Sequence, residues 1–175
     1  MDAPEGTALH PVVTQLDATY AALIANADAL KQAFFATARD LHKGKPGHIP
    51  IAIRLCQSSP NAVSIVWVKI ILGKAEAGAS EGTYLIQTIN KGRGHKYPLG
   101  AFSFVKEPLK QIVRAYEVQL AEIREACSVN QKIRRQLIPH ARRARLIDDA
   151  IGAFLAQNSL QPFVNEPLCR TNGQV

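Results

Sequence analysis

The stretch "IPIAIRLCQSSPNAVSIVWVKIIL" at residues 49–72 decides the fold. Its first part alternates apolar and other side chains with period two, as a strand does when one of its faces covers a core. "SSPN" has the composition of a turn, and the segment after it (62–72) is apolar on both faces, which favours a central strand. "TYLIQTINK" at 83–91 has the composition of a third strand. We therefore predict a three-stranded antiparallel meander across about 49–91, with a fourth, shorter edge strand allowed within 92–104.

Helical patterns lie on both sides of these strands. Before them, apolar side chains recur in steps of three and four, the spacing of one face of an α-helix. They are Leu16, Tyr20, Leu23, Ala27, Leu30, Phe34, Thr37 and Leu41. A second stripe with the same steps follows Pro108 and comprises Leu109, Val113, Tyr116, Leu120, Ile123 and Cys127. Each stripe needs a partner, and the simplest arrangement packs the two together or partly against the sheet.

Pro139 interrupts the second helical region. Because proline lacks an amide hydrogen and clashes with the preceding turn, we expect it to end or kink the helix. The C-terminal region then forms two helices, about 108–138 and 140–157. The buried side predicted for the last helix is Ile147, Ile151, Phe154 and Leu155. The predicted fold class is α+β: a long N-terminal helix (about 11–43), the meander, then two C-terminal helices packed on the first helix, the sheet or both.

The size of the chain suits a single domain. Its 175 residues fit one α+β domain over 1–158, followed by a polar tail over 159–175. No apolar run approaches the ~18–20 residues that a membrane span needs, and the acidic N-terminus is unlike a signal peptide. We therefore expect a cytoplasmic protein without membrane contact. Three widely spaced cysteines fit neither a disulfide framework nor a zinc site, so we expect reduced thiols.

Charge is distributed unevenly along the chain. The formal net charge is +7. The first thirty residues hold four acidic and no basic side chains, so the remainder carries 21 basic against 10 acidic residues. A polyanionic partner explains this asymmetry, because clustered cations attract phosphates and release their counterions. A basic surface retained for solubility explains it as well.

The strongest basic cluster is "KIRRQLIPHARRAR" at residues 132–145. A solvated helix face usually mixes both signs of charge, yet no acid occurs between Glu125 and Asp148. Arginine predominates, and its planar fork suits phosphate or guanine contacts. The candidate nucleic-acid-binding residues in this segment are Lys132, Arg134, Arg135, Arg142, Arg143 and Arg145. The alternative is that some of these arginines pair with Glu117, Glu122 or Glu125 on neighbouring turns, and Arg145 with Asp148 or Asp149.

A second basic cluster, "NKGRGHKYP", occupies residues 90–98. Its glycines allow the backbone to approach a phosphate, and its tyrosine offers a stacking surface for a base. The candidate binding residues here are Lys91, Arg93, His95, Lys96 and Tyr97. The alternative is a charged turn that protects a strand end from edge pairing. Trp67, on the central strand, is expected in the core rather than on a base-stacking surface.

Catalytic motifs are missing from the sequence. It contains no GxxxxGK[ST] loop, no GxGxxG after a strand, and none of the CxxC, HxxxH or HExxH spacings of zinc sites. Its acids are scattered rather than paired for general acid–base work. We therefore expect a non-enzymatic protein without cofactor or metal. A thiol enzyme using Cys56 or Cys127 is the remaining catalytic alternative.

The middle of the chain resembles a known family. "IAIRLCQSSPNAVSIVWVKI" and "YLIQTINKGRGHKYPLGAF" are similar to MobI-type accessory transfer proteins of integrative and conjugative elements over about 49–101. The matching residues are Arg54, Trp67, Lys91 and Tyr97. The resemblance implies an auxiliary factor that acts near an origin of transfer and assists the relaxase without nicking DNA itself. It carries over no catalytic residues.

Together these observations predict a nucleic-acid-binding accessory protein, with DNA favoured over RNA, that contacts phosphates through the two basic clusters. A relaxase or another transfer protein is the implied partner, and the heptad-like stripes are compatible with a homodimer. The rival hypothesis is a helical protein-interaction adaptor that binds no nucleic acid.

Overall fold

A computed structural model of the chain describes residues 9–44, 46–59, 62–73 and 84–158, without the side chains of the first two of these residues. In chain order the elements are α1 (Leu9–His42), β1 (Ile51–Ser59), β2 (Ala62–Leu72), β3 (Tyr84–Thr88), a short 3-10 helix (Leu99–Phe102) and α2 (Leu109–Asn158). The predicted α+β class is confirmed, with two long helices instead of three. The predicted polar tail, 159–175, lies outside the described residues.

The strands form an antiparallel sheet in the order β1-β2-β3, so the predicted meander and its central strand are confirmed. Ile53 lies opposite Trp67, and Lys69 opposite Gln87. Because side chains alternate between the two faces of a strand, Ile53, Ile65 and Trp67 share the face that is buried beneath the helices. The ring of Trp67 meets Phe34 of α1 edge-on, at 5.0 Å between ring centroids.

The two helical stripes pack against each other, as predicted. On α1 the stripe buries Tyr20, Ala27 and Phe34. The helices are antiparallel: the Thr37 and Tyr116 hydroxyls lie 3.3 Å apart near one end, and near the other the Asn130 amide donates to the Leu16 carbonyl at 3.0 Å. Small side chains such as Ala27 let the two helix backbones approach closely.

The fourth strand predicted within 92–104 does not form among the described residues, which instead contain bends and the 3-10 helix. Its backbone has other partners, since the Tyr97 amide donates to a Glu117 carboxylate oxygen of α2. Phe102 and Val105 then insert into the core. A segment held by these contacts cannot also lie along the sheet edge.

The prediction that Pro139 separates two helices is wrong, because α2 is helical from Leu109 to Asn158 with Pro139 inside it. The missing amide hydrogen would have bonded to the Arg135 carbonyl one turn earlier. Both residues are exposed, so water can satisfy that carbonyl. A proline on the wet side of a long helix therefore does not end it.

The prediction of a buried side on the last helix is also wrong. From Arg142 to Asn158 every residue except Ala144 is exposed. Continuing the register of the helix pair places the start of α1 opposite the turn that contains Pro139 and Arg142, so α2 extends beyond its partner. We call Arg142–Asn158 the helix extension.

Candidate nucleic-acid interface

The core of the site is an ion pair buried between the helices and the sheet. Glu117 and Arg124 lie seven residues apart on the face of α2 that is turned inward. The guanidinium donates two hydrogen bonds to the carboxylate, at 2.8 and 3.1 Å. Sequence reasoning missed this pair, although it carried a signal: the two residues alternate with Val113, Leu120 and Cys127 in the same steps of four and three.

The buried pair holds three parts of the chain together. Glu117 accepts hydrogen bonds from the Trp67 indole at 2.6 Å and from the Tyr97 amide at 2.7 Å. Arg124 donates to the Ile65 carbonyl at 3.0 Å and to the His95 carbonyl. Two of the residues that carry the family resemblance, Trp67 and Tyr97, therefore meet at this pair. The network fixes the position of the 90–98 segment relative to β2 and α2.

Tyr97 is part of this network and not of the surface. Its side chain is 2% exposed, and its hydroxyl accepts a hydrogen bond from the Trp67 amide at 3.2 Å. Its ring lies 5.0 Å from the guanidinium carbon of Arg124. Burial is the main cause that raises the pKa of this phenol. The predicted stacking of a base on Tyr97 does not fit this placement, whereas the expectation that Trp67 is a core residue is confirmed.

The remaining residues of the second cluster form a compact basic loop, residues 91–96. The Lys91 ammonium donates to the Gly94 carbonyl, and Gly92 has φ +77°, a conformation that favours glycine. Arg93 and Lys96 are exposed, while Lys91 and His95 are half-buried. Burial, followed by the positive charge of Arg124, lowers the pKa of Lys91. An anion bound at this loop would relieve the second of these effects.

The first cluster divides into two groups around the helix axis. Lys132, Arg135, Arg142 and Arg143 fall within an arc of about 100° at 3.6 residues per turn, and all four are exposed. Among the described residues no acid forms an ion pair with them. We call these four residues the basic helix face.

Arg134 and Arg145 lie on the other side of the helix. Arg134 pairs with Asp17 of α1, with 2.6 Å between its Nε and a carboxylate oxygen. This is the pairing alternative raised from the sequence, although the acid belongs to α1 and not to a neighbouring turn of α2. Arg145 is exposed on the same side, beyond the start of α1, and forms no ion pair with any described residue.

A groove lies between the basic loop and the turns of α2 that precede the basic helix face. Its volume is about 210 Å³, and Lys91, His95 and Arg124 line it together with Ser128 and Gln131 of α2. Ser128 and Gln131 precede Arg135 by seven and four residues, so they share its side of the helix. The loop and the basic helix face therefore lie on the same side of α2 and form one candidate surface, whereas Tyr97 is buried and Arg134 lies on the other side.

Acidic and apolar residues limit this surface. Glu122 and Glu125 line a depression on the other side of His95 and Lys96, so the positive potential ends there. Arg54 and Lys69 do not extend it across the sheet, because strand alternation places them on opposite faces. Lys69 instead lies over the Phe104 ring, 4.9 Å from its centroid.

Other classes of site receive little support from the described part of the chain. It contains no group of three or more His, Cys, Asp or Glu side chains placed to hold a metal ion. None of its helices has the length and apolar character that a bilayer crossing requires. Burial raises the pKa of the Cys127 thiol, which disfavours the thiolate that a nucleophile needs.

Comparison with known proteins extends the likeness that the middle of the chain suggested. Residues 23–138 match the MobI protein family, which is about two thirds of the chain. The match includes the buried pair, the basic loop and the first half of the basic helix face, and it ends just before Pro139. No curated protein and no solved structure gives a significant match. By its family match the chain belongs to the MobI family, a family of accessory proteins related to mobilisation and conjugation.

Proposed function

We propose that this MobI-family chain is a non-enzymatic accessory factor of conjugative transfer that binds nucleic acid, DNA in preference to RNA. The contact surface consists of the basic loop and the basic helix face. Family membership supports the transfer role and makes a relaxase or another transfer protein the expected partner. Phosphate contacts supply most of the affinity, since the surface offers cations rather than side chains arranged to recognise a base.

One observation carries the proposal: four exposed cations share one side of α2, and no described acid forms an ion pair with them. Lys132 and Arg135 are three residues apart, a spacing at which like charges repel each other and destabilise a helix, so this pair is unfavourable without a counter-charge. A phosphate backbone provides regularly spaced negative charge and releases counterions when cations approach it.

The basic loop adds a rigid element to this surface. The Arg124 bond to the His95 carbonyl and the Glu117 bond to the Tyr97 amide hold the loop from below. Arg93 and Lys96 therefore project from a fixed backbone, and less conformational entropy is lost when they meet a phosphate. The groove beside Lys91 is polar along its α2 side, where the exposed Ser128 hydroxyl can donate a further hydrogen bond.

The test is fluorescence anisotropy of labelled duplex DNA, single-stranded DNA and RNA over a salt series. We expect log K for duplex DNA to fall linearly with log salt, by about 0.9 for each phosphate neutralised. Replacing Lys132, Arg135, Arg142 and Arg143 with Gln should weaken binding. It should also flatten the slope by about one unit for each phosphate that the variant no longer neutralises.

A matched control variant removes the same number of charges elsewhere. Arg39, Lys43, Lys106 and Arg114 are exposed near the opposite end of the helix pair. Their replacement with Gln lowers the net charge equally, so it should keep a salt slope close to that of the wild type. Equal losses of affinity in the two variants would show that binding depends on the net charge of the protein and not on the basic helix face. No binding by the wild type at low salt would refute the proposal.

Lys91 provides a pH-dependent prediction at the same surface. Its lowered pKa means that it loses its charge at a lower pH than an ordinary lysine, and the affinity for DNA should fall as this happens. Between about pH 7 and pH 10 the wild type should lose more affinity than a Lys91→Arg variant, because arginine stays protonated throughout. Anisotropy titrations at constant ionic strength measure the difference. Parallel pH profiles would show that Lys91 does not contact the nucleic acid.

A second candidate function, the protein-interaction adaptor, is favoured by an apolar groove between the two long helices. The groove has a volume of about 510 Å³, and Leu16, Leu23, Val129 and Ile133 are among its lining residues. Such a groove fits the apolar side of a partner helix. If no nucleic acid binds at low salt, capture of a purified relaxase becomes the next measurement. Loss of that capture in a Val129→Asp variant would place the partner in this groove.

A further inference from the structure

The helix extension leaves large apolar side chains in water. Leu146, Ile147, Ile151 and Phe154 are 68, 50, 52 and 64% exposed. A helix of this length is marginally stable alone, and most helices owe their stability to an apolar face packed on a partner. The apolar side of the extension therefore needs a surface to cover it. Among the described residues α1 does not supply one, since it begins at Leu9, opposite the turn that contains Pro139 and Arg142.

The spacing of its side chains identifies that surface. Ala144, Ile147, Ile151 and Phe154 follow one another in steps of three, four and three, the a and d positions of a heptad repeat. The side opposite this seam carries Arg142, Arg145, Asp149 and Gly152. Leu155 widens this stripe at an e position, and Leu146 lies apart from it at a c position. The a and d positions are the ones that meet a partner helix in a coiled coil. A second helix with the same repeat fits them.

The charges beside the seam favour a second copy of the same segment as the partner helix. In this register Arg143 is a g position and Asp148 is the e position five residues later. In a parallel pair the g residue of one helix faces this e residue of the other, so two Arg143–Asp148 pairs would form across the seam. Neither residue has an ion pair among the described residues. An antiparallel pair with the same apolar overlap would bring the two Asp148 carboxylates together.

We propose that residues 144–158 of α2 pair with the same residues of a second copy as a parallel two-stranded coiled coil. The two-fold axis then runs parallel to the paired extensions, and the two basic helix faces lie at the N-terminal end of the coiled coil, one on each copy. The apolar seam lies outside the nucleic-acid interface, and Arg143 is the one residue that the coiled coil shares with the basic helix face.

The test is the molar mass of the full chain at increasing concentration, measured by sedimentation equilibrium without nucleic acid. The wild type should pass from monomer to dimer, and Ile151→Asp should raise the dimer dissociation constant at least about tenfold. The matched control is Leu146→Asp, because Leu146 is the more exposed of the two but lies outside the seam. Both side chains are exposed in the monomer, so circular dichroism of both variants should match the wild type at concentrations where the wild type is monomeric.

A charge swap tests the parallel register. Arg143→Asp and Asp148→Arg should each weaken the dimer, and the double variant should restore it. A wild type that stays monomeric at every concentration overturns the proposal, as does a dimer that tolerates Ile151→Asp. If Leu146→Asp weakens the dimer as much as Ile151→Asp does, the a and d positions are not the dimer contact. A double variant without recovery refutes the parallel arrangement.

Discussion

Replacing Arg124 with Met should destabilise the protein by about 3–5 kcal/mol, because it leaves the Glu117 carboxylate buried without its counter-charge. Both side chains are almost completely inaccessible to water, at 6 and 3% exposure. The substitution also removes the hydrogen bonds to the Ile65 and His95 carbonyls. Methionine keeps most of the side-chain volume, so the loss is electrostatic rather than a cavity effect.

Urea denaturation followed by the emission of Trp67, the single tryptophan, measures this loss. Arg114→Met is the control, since Arg114 lies on the exposed side of the same helix and should change stability by no more than about 0.5 kcal/mol. A double Glu117→Leu, Arg124→Met variant should recover only part of the loss, because the Trp67 indole and the Tyr97 amide then lack their acceptor. If Arg124→Met matched its control, the buried pair would not hold the fold together.

The sequence was informative where one periodicity covered a whole element. Alternation over 49–55 and the apolar run over 62–72 predicted two strands and the central position of β2. Steps of three and four predicted both long helices and their mutual packing. The prediction from Pro139 fails because the helix-breaking preference of proline is local, whereas the exposure of its turn to water depends on where α1 lies. Spacing could not predict that the described part of α1 leaves Arg142–Asn158 uncovered, since an apolar stripe has the same spacing whether it is buried or exposed.

The candidate site was predictable as a set of charges but not as a surface. The basic residues were visible in the sequence, whereas their division between two sides of α2 depends on where α1 lies. Arg134 is drawn to Asp17, which is 117 positions away in the chain. The basic residues before Tyr97 predicted that its ring would stack on a base. In the structure its amide donates a hydrogen bond to Glu117, and its ring lies in the core. Long-range partners of this kind leave no local pattern.

Replacing Phe34 with Ala should destabilise the protein by about 3–5 kcal/mol, the usual loss for a fully buried aromatic ring. Phe34 is 0% exposed and lies where α1, α2 and the sheet meet. Its ring packs edge-on against Trp67 and Tyr116, at 5.0 and 5.5 Å between centroids. The cavity would open next to the Trp67 indole, which donates to the buried carboxylate. Water entering there would weaken the Glu117–Arg124 network as well as the apolar contacts.

Two readouts separate these effects. Urea denaturation gives the total loss of stability, and the emission maximum of native Trp67 reports water near the indole. Phe34→Leu should lose less than half as much stability as Phe34→Ala, because leucine fills much of the space of the ring. Its Trp67 emission maximum should equal that of the wild type. Leu85→Ala, at an exposed position of β3, is the control for a side-chain truncation without a cavity. If Phe34→Ala lowered the free energy of unfolding no more than Leu85→Ala, Phe34 would not be a core residue between the helices and the sheet. The position of the basic loop would then not depend on its packing.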